Sequence, residues 1–320
     1  MIIRNALFSS IAGLAFLVSA HVVVAYSIES IPVTPEGDFV LEPGKLEIFL
    51  NPGESIIRSI SVTNRTGRDL QFDLSAEDFV GSDDPLRPVV LLSNQEESPY
   101  SLVNLITPEI TSFSLKFGER ITIPVTITAP INAEPRGYYG AVVVSNVPTS
   151  LAGTSSPVAP VQIVSRIGTL FLVRVNGDVT EAGTLNDFRV AGAKKFFYQQ
   201  HPDAFEILFK NTGNVHLVPH GIIRVKNVIG SVIDTLPVDA YFALPDATRY
   251  RTVLWNTNRF LIGRYTATVE FYPGFGDATE VRTIAFWVLP WKIIGALFGA
   301  IIALIALLSL IFSRFEIRRK

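Results

Sequence analysis

The stretch Glu119-Arg-Ile-Thr-Ile-Pro-Val-Thr-Ile-Thr128 decides the fold class of this chain. Its branched apolar residues occupy every second position from Ile121 to Ile127, and threonine or proline fills the positions between them. A period of two is typical of a β-strand with one buried face and one hydrated face. Pro124 lacks an N–H group, which predicts that this strand lies at a sheet edge or carries a bulge.

Short segments of similar composition flank this strand, separated by turn signals such as Pro52-Gly53 and Thr66-Gly67. No ten-residue helical pattern lies between them, so the sequence favours a β-sandwich over an alternating α/β fold. The predicted strands cover residues 46–50, 56–63, 70–74, 112–117, 119–128, 139–145 and 161–175. We assign residues 26–177 to a first immunoglobulin-like sandwich, in which residues 149–160 form a long loop.

A second set of strands is predicted at residues 205–210, 215–218, 222–228, 232–236, 250–255, 265–272 and 279–289. Seven is the strand count of a minimal immunoglobulin-like sandwich, which we assign to residues 178–290. Tyr265 lies near the start of the penultimate strand and predicts a tyrosine corner. An apolar strand runs into an Asn/Thr/Gly turn at residues 60–67 and again at 207–213. Asn and Gly tolerate the positive φ of such turns, and the echo indicates two related sandwiches in tandem.

Both ends of the chain are apolar. Residues 293–312 carry no charge, and twenty helical residues span about 30 Å, which matches a bilayer core. We predict a transmembrane helix at 291–313 and a basic cytoplasmic tail at 314–320, with both sandwiches outside the cell membrane. Residues 1–25 read as a signal peptide that is cleaved after Ala20 or Ala25, or is retained as a signal anchor. The predicted membrane-interface residues are Trp287 and Trp291 on the outer side, and Arg314, Arg318, Arg319 and Lys320 on the inner side.

Small residues recur every four positions along the predicted membrane helix, at Gly295, Gly299 and Ala303. Such a stripe lets two helix backbones approach closely and predicts weak homo-oligomerisation. The alternative is that glycine is simply common in membrane helices.

The composition argues against most chemistry. A formal net charge of −2 leaves no basic surplus for nucleic acid. Zero cysteines remove disulfides, thiolate nucleophiles and zinc knuckles. No dinucleotide fingerprint, phosphate-binding loop or zinc-protease motif occurs. We therefore expect a protein that is not an enzyme and has no cofactor or metal site.

Three weaker motifs have plain alternatives. His216 and His220 would stand about 13 Å apart in a strand, too far for one metal ion to bridge. Residues 77–84 form an acidic loop with Glu77, Asp78, Asp83 and Asp84, which predicts either a solvated turn or a calcium site. Asn64-Arg-Thr66 is a glycosylation sequon and predicts an exposed turn.

Residues 39–145 resemble the N-terminal domain of the WxL-interacting proteins of Gram-positive cell surfaces. The resemblance rests on Leu50-Asn-Pro-Gly-Glu54, Ser61-Val-Thr-Asn64, Glu77-Asp-Phe79 and Arg136-Gly-Tyr-Tyr-Gly140. The part from Phe209-Lys-Asn211 to the C-terminus is similar to their second domain and membrane anchor. The resemblance implies a first domain that binds peptidoglycan and a second domain that binds host or partner proteins.

Three kinds of function follow from these patterns. The first is a cell-surface scaffold or adhesion protein that engages cell-wall glycan or surface proteins through sheet edges and loops. The second is a chaperone-like module that donates or accepts a β-strand. The third is a wall-active hydrolase, for which small sandwiches leave little room for a deep cleft.

Chain direction also places the connection at residues 256–263. The last predicted strand must run toward the membrane, so its antiparallel neighbour starts near the bilayer. Phe260, Leu261 and Ile262 lie beside Arg259 in this connection. They predict either a contact with lipid headgroups or a closure of the bottom of the sandwich.

If the chain is exported and anchored once, protease added to intact cells should degrade both sandwiches and spare a small C-terminal fragment. The apolar ends and basic tail are the reason for this expectation. Immunoblotting with a C-terminal tag measures it, and protection of the whole protein would contradict it.

Overall fold

The computed structural model describes residues 25–82, 84, 89–92, 98–147, 164–192, 197–277 and 279–314. These residues form two β-sandwiches in tandem and one C-terminal helix. The predicted all-β, immunoglobulin-like fold is confirmed. The predicted signal peptide up to residue 24, the loop at 149–160 and the tail residues Arg318, Arg319 and Lys320 lie outside the described residues.

The first sandwich packs two sheets around one apolar core. The first sheet has the order β1-β9-β4-β2, with β7 also on β9. The second has the order β3-β11-β10-β5-β6, with β8 also on β5. Its strands are β1 (Ser27–Ser30), β2 (Phe39–Glu42), β3 (Lys45–Leu50), β4 (Ser55–Asn64), β5 (Leu70–Gly81), β6 (Val89–Leu91), β7 (Ile106–Pro108), β8 (Ser112–Leu115), β9 (Glu119–Thr128), β10 (Gly137–Asn146) and β11 (Arg166–Val175). A 3-10 turn covers Val103–Leu105.

The second sandwich packs a three-stranded sheet, β12-β14-β17, on a five-stranded sheet, β13-β19-β18-β15-β16. Its strands are β12 (Gly183–Val190), β13 (Phe197–Tyr198), β14 (Ala204–Asn211), β15 (His220–Asn227), β16 (Val232–Val238), β17 (Thr248–Leu254), β18 (Gly263–Tyr272) and β19 (Glu280–Val288). Trp255 fills the centre of this core, stacked on Phe205 with ring centroids 5.6 Å apart. Its indole Nε1 donates to Asp234 over 3.0 Å, which satisfies the one polar group of the ring.

Helix α1 (Trp291–Arg314) begins only two residues after β19. None of its most apolar window is buried against the rest of the chain, and residues 291–312 are long and apolar enough to cross a membrane. A helix that is apolar on every face and packs on no other part of the protein is typical of a membrane span.

Pro124 does not mark an edge strand, so that prediction is wrong. Strand β9 pairs with β4 on one side and with both β1 and β7 on the other. The carbonyl of Pro124 accepts the N–H of Glu109 at 3.0 Å, on the β7 side. An N–H group at position 124 would point to the same side. A gap lies there, because β1 pairs with residues 119–122 of β9 and β7 pairs with residues 125–127. No ladder hydrogen bond to β4 is lost there.

The strand predicted at residues 215–218 is also wrong, since this segment makes only an isolated bridge from Leu217 to Ala243. Strand β12 takes its place as the seventh full-length strand of the second sandwich. The tyrosine corner is confirmed, because the Tyr265 hydroxyl donates to the Ile262 carbonyl at 3.2 Å and accepts its N–H at 3.3 Å.

Asn64 ends β4 and is fully buried. Its Nδ2 donates to the carbonyls of Arg68, at 2.8 Å, and Leu115, at 3.0 Å, and its Oδ1 accepts the N–H of Thr66 at 3.0 Å. Because Leu115 ends β8 in the opposite sheet, this one amide joins the two sheets. Asn64 itself is therefore buried, whereas the turn that follows it is exposed at Gly67 and Arg68, as the sequon predicts.

Asn211 repeats this arrangement at the end of β14. Its Nδ2 donates to the carbonyls of Val215 and Ala243, each at 2.8 Å, and its Oδ1 accepts the N–H of Gly213 at 2.9 Å. The sequence echo thus corresponds to one physical device used twice. The glycines of the two turns are needed for different reasons. Gly67 has a positive φ of +81°, whereas a Cβ at Gly213 would overlap the Thr180 carbonyl.

Replacing Asn211 by alanine should lower the free energy of unfolding by about 2–4 kcal/mol, because two carbonyls and one N–H lose their partner inside the core. Urea unfolding of the purified chain measures the change. The control is Asn104→Ala, an exposed position, where a change within about 0.5 kcal/mol is expected. Equal effects of the two substitutions would contradict the clamp.

Candidate functional site

In the described part of the chain, one side of the second sandwich is open between the edge strands β12 and β19. Strand β13 covers only the end of β19, where Phe197 pairs with Trp287 and Tyr198 pairs with Val288. Among the described residues, no strand pairs with the outer side of residues 280–286 of β19. We call this unpaired run, residues 280–286, the free edge.

The outward-facing groups of the free edge can be assigned from its hydrogen bonds. Leu289 donates its N–H to the Tyr198 carbonyl at 2.7 Å, so odd-numbered residues face outward. The hydroxyls of Thr283 and Thr268 lie 2.9 Å apart, as expected for a pair that exchanges no backbone hydrogen bonds. The N–H and C=O groups of Val281, Thr283 and Ala285 therefore point away from β18.

A groove of about 760 Å³ lies beside the free edge. Its floor is aromatic, because Phe188 and Phe286 are buried beneath it and both pack against Phe205. The lining residues are Asp187, Phe188, Arg189, Val190, Gly192, Tyr198, Ile284, Ala285 and Phe286. Apolar floor and polar rim together resemble the usual composition of a ligand groove.

Both ends of the groove are defined by contacts. At the end far from α1, the Glu280 carboxylate accepts the N–H of Leu185 at 3.0 Å, which bridges β19 to β12. At the other end the groove shares Gly192 and Tyr198 with a cavity of about 1140 Å³ that reaches Trp291 and Lys292 at the start of α1. The groove and this cavity thus lie next to each other along the open side.

The charged rim of the groove is held in place by ion pairs. The Arg189 Nε donates to Glu206 at 2.8 Å, and its Nη1 donates to Asp187 at 3.3 Å. The hydrogen bond to Glu206 is the main cause that raises the pKa of Arg189. One arginine thus faces two carboxylates, so these three side chains offer no excess positive charge to a ligand.

The two sandwiches touch through a third apolar cluster. Leu244 and Ala247 of the second sandwich pack against a patch on the first, formed by Phe79, Tyr139, Ala141, Val143 and Leu172. The Asn214 amide also donates to the Pro135 carbonyl at 3.2 Å, and the Gly137 N–H donates to the Asn214 carbonyl at 2.9 Å. Apolar packing with directional hydrogen bonds fixes the relative orientation of the sandwiches.

His216 is buried in this contact, with its Nδ1 3.4 Å from the Tyr139 hydroxyl. Burial is the main cause that lowers the pKa of His216 to about 4, Glu47 opposes the shift, and Lys45 and Arg174 reinforce it. Burial also raises the pKa of Tyr139. Both groups are neutral at pH 7, as a hydrogen-bonded pair in an apolar contact requires.

The weaker motifs have structural partners. His220 stacks on Tyr272 with ring centroids 5.3 Å apart, whereas His216 contacts Tyr139, so the two histidines do not share a site. The Asp78 carboxylate accepts the N–H groups of Leu102 and Val103 at 2.8 and 3.1 Å, and Glu77 pairs with Arg166. Glu77 and Asp78 lie in β5, so the acidic loop predicted at residues 77–84 is wrong over that part, and Asp83 lies outside the described residues. No group of three or more metal-ligating side chains occurs in the described part of the chain.

The two tryptophans predicted at the membrane interface lie in different surroundings. Trp287 is half-buried in β19, its ring centroid 6.4 Å from that of Phe197, whereas Trp291 is the exposed first residue of α1. Gly295, Gly299 and Ala303 lie on the exposed helix surface, and self-association stays a prediction. Arg314 is the last helical residue.

The sequence did not reveal β12, because a bulge breaks its period. The register with β14 shifts between Leu185 and Asp187, so the buried residues Leu185 and Phe188 stand three apart. Without β12 the second wall of the groove could not be predicted. The only sequence signal for β12 was a pair of apolar residues, Leu185 and Phe188, separated by Asn-Asp.

No protein-family model matches this sequence, and no curated protein matches it. Among solved structures, the class 5 fimbriae chaperone CfaA is 15% identical over 77% of this chain and 98% of its own, with a TM-score of 0.38. The E. coli chaperone DraB is 12% identical over 78% of this chain and 96% of its own, with a TM-score of 0.34. A family 123 glycoside hydrolase from Clostridium perfringens is 15% identical over 48% of this chain and 27% of its own, with a TM-score of 0.28. At such TM-scores these likenesses do not bear on function, and the resemblance to WxL-interacting proteins stays a prediction.

Acid should weaken the contact between the sandwiches. The folded-state pKa of His216 lies below the unfolded value of about 6.5, so the unfolded chain binds the proton first as the pH falls. Between pH 7 and pH 5 the free energy of unfolding should drop by about 2 kcal/mol through this group.

Urea unfolding at both pH values measures this drop, with His216→Gln as the control. Glutamine keeps a hydrogen-bonding group near Tyr139 but does not titrate, so the variant should lose about 2 kcal/mol less than the wild-type chain between pH 7 and pH 5. An identical pH dependence in the two proteins would show that His216 does not carry the effect.

Proposed function

We infer that this protein is a membrane-anchored binding protein, not an enzyme, whose second sandwich accepts an extended peptide segment of a partner protein as an added β-strand. The free edge carries this inference. Its outward N–H and C=O groups at Val281, Thr283 and Ala285 form a row that a peptide backbone can pair with. An apolar groove lies directly beside that row.

The chemistry of the groove defines the kind of segment it accepts. Side chains on one face of an added strand would project toward Phe188, Ile284 and Phe286, and those on the other face would project into water. A segment with apolar residues at alternate positions fits this arrangement. Seven paired residues, the length of the free edge, extend about 23 Å.

The free edge carries two charged residues, Glu280 and Arg282, but it lacks the proline that blocks strand addition at many sheet edges. Its sequence is Glu280-Val-Arg-Thr-Ile-Ala-Phe286, without proline. By contrast, the opposite edge strand of the same sheet, β16, contains Pro237. Proline and charge protect sheet edges in many β-proteins. The difference between the two edges supports a binding role for β19.

Placement at the outer face of a bacterial cell membrane belongs to this proposal. It is supported by the apolar helix α1, the basic residues after it and the resemblance to cell-surface proteins. Surface-protein partners agree with the peptide-binding character of the free edge. Peptidoglycan, which the resemblance implies for the first sandwich, is a separate ligand and does not depend on this edge.

The test uses proline to remove one outward N–H. Ala285→Pro should abolish binding of a fluorescent eight-residue peptide of alternating valine and threonine, because the added strand loses a backbone hydrogen bond and meets the proline ring. Fluorescence anisotropy with the full chain in detergent measures the affinity. Proline at an outward position keeps the pairing with β18, and circular dichroism verifies the fold.

Ala285→Val is the matched control, since it enlarges the side chain but keeps the N–H, and it should bind the peptide. A second control is the same peptide with every amide N-methylated, which cannot donate strand hydrogen bonds from either edge and should not bind. Equal binding by the proline variant, or by the methylated peptide, would contradict strand addition at this edge.

A further inference from the structure

Exposed apolar side chains of the second sandwich are concentrated at the end where α1 begins. Seven of the nine in the described part lie there, and only Tyr272 and Val281 lie at the other end. The seven are Phe197, Val228, Ile229, Val232, Leu254, Phe260 and Ile262. Random surface apolar residues would be spread over both ends.

Strand register shows that two separate tips meet at this end, beside the start of α1. Gly263 pairs with Val288, so the connection before β18 lies level with the last turn before α1. Asn227 pairs with Tyr265, so the β15–β16 hairpin tip, which begins at Val228, reaches about the level of Gly263 at the same end of the sheet. We call the exposed residues of these tips and of the helix start, namely Val228, Ile229, Phe260, Ile262 and Trp291, the basal rim.

The hairpin tip holds its apolar residues outward. Val228 is 74% exposed and Ile229 is 81% exposed, the largest fractions among the large apolar residues described in the second sandwich. The Asn227 side chain accepts the N–H groups of Ile229, at 3.2 Å, and Ser231, at 2.9 Å, and Gly230 has φ +83°. Two branched apolar residues are thus presented on a turn fixed from behind.

The connection before β18 is fixed in a similar way. Leu261 is buried in the core, whereas its neighbours Phe260 and Ile262 are 68% and 51% exposed. The Tyr265 hydroxyl holds both backbone groups of Ile262. Of the two alternatives for residues 256–263, closing the sandwich therefore applies to Leu261 alone, and its neighbours have no such role.

Cations surround the basal rim. Lys226, Arg259, Arg264 and Lys292 are exposed, and none of them forms an ion pair with a described residue. Apolar tips bordered by unpaired cations are typical of surfaces that enter the headgroup layer of an anionic bilayer. Only Leu289 and Pro290 separate the sandwich from α1, so the bilayer is the surface that this end must face.

We propose that the basal rim rests in the headgroup layer of the bilayer that α1 spans and thereby fixes the tilt of the second sandwich on the membrane. The proposal rests on the membrane anchoring within the proposed function, but not on strand addition at the free edge. Phe260, Ile262, Val228 and Ile229 enter the interface together with Trp291, while the four cations contact anionic lipid headgroups.

Single cysteines test the proposal cleanly because the chain has none of its own. A polarity-sensitive fluorophore is placed at Ile229→Cys, Phe260→Cys, Val281→Cys or Leu304→Cys in the full chain, reconstituted in phosphatidylcholine vesicles with or without phosphatidylglycerol. Lipids carrying a nitroxide near the headgroup or deep in the acyl chain act as quenchers. The exposed distal position 281 is the matched aqueous control, and position 304 reports insertion of α1.

The expected result is quenching of positions 229 and 260 by the shallow nitroxide, no quenching at 281, and quenching of 304 by the deep nitroxide. Phosphatidylglycerol should increase the quenching at 229 and 260. If 229 and 260 behave like 281 while 304 is deep, the proposal is overturned and the anchoring stands. If 304 is not quenched, the anchoring fails and the proposal with it, whereas the peptide-binding assay in detergent is unaffected.

Discussion

A buried asparagine amide at the end of a core strand is the interaction on which each sandwich depends. Asn64 and Asn211 each supply two donors to carbonyls and one acceptor to an N–H two residues on. A β-strand that ends inside a core leaves backbone groups without partners, and water cannot reach them. A short, rigid side chain that satisfies three such groups lets the turn fold back beneath the opposite sheet. In the first sandwich the Asn64 amide joins the two sheets. In the second, the Asn211 amide joins β14 to the segment at Ala243, next to the contact between the sandwiches.

That contact turns two independent sandwiches into one oriented unit. Leu244 and Ala247 can reach the first sandwich because the segment they occupy is held by the Asn211 amide on one side and by the Leu217–Ala243 bridge on the other. Gly81 completes the approach, since a Cβ there would overlap the side chain of Ala247. The neutral pair of His216 and Tyr139 then occupies a site where a charge would be costly. The two sandwiches are therefore coupled through packing, and we expect protonation of His216 to weaken that coupling.

Strand β19 links the proposed activities of the second sandwich. One side of the strand pairs with β18, its outer side is free over residues 280–286, and its end leads within two residues into α1. A partner segment paired with the free edge would lie beside a strand that is joined directly to the membrane helix. The same short connection brings the basal rim to the bilayer. Binding at the edge and orientation on the membrane are thus consequences of where one strand is placed.

Local patterns in the sequence determined most of the longer strands and the helix. Residues 119–128 form β9 as their period of two predicts, and the uncharged run at 293–312 forms α1, because alternation and continuous apolarity are properties of neighbouring residues. Tyr265 was also readable, since its partner Ile262 lies three residues away. Strand β12 escaped detection because its bulge puts Leu185 and Phe188 out of the simple period.

Only the tertiary structure decided which edges are paired and which residues are buried. Pro124 lies in an interior strand because two short strands share its outer side, and Asn64 is buried because β8 arrives from the opposite sheet. The free edge and the basal rim are likewise set by register between strands far apart in the chain. Period and hydropathy report on neighbours, whereas pairing and burial depend on segments that the fold brings together.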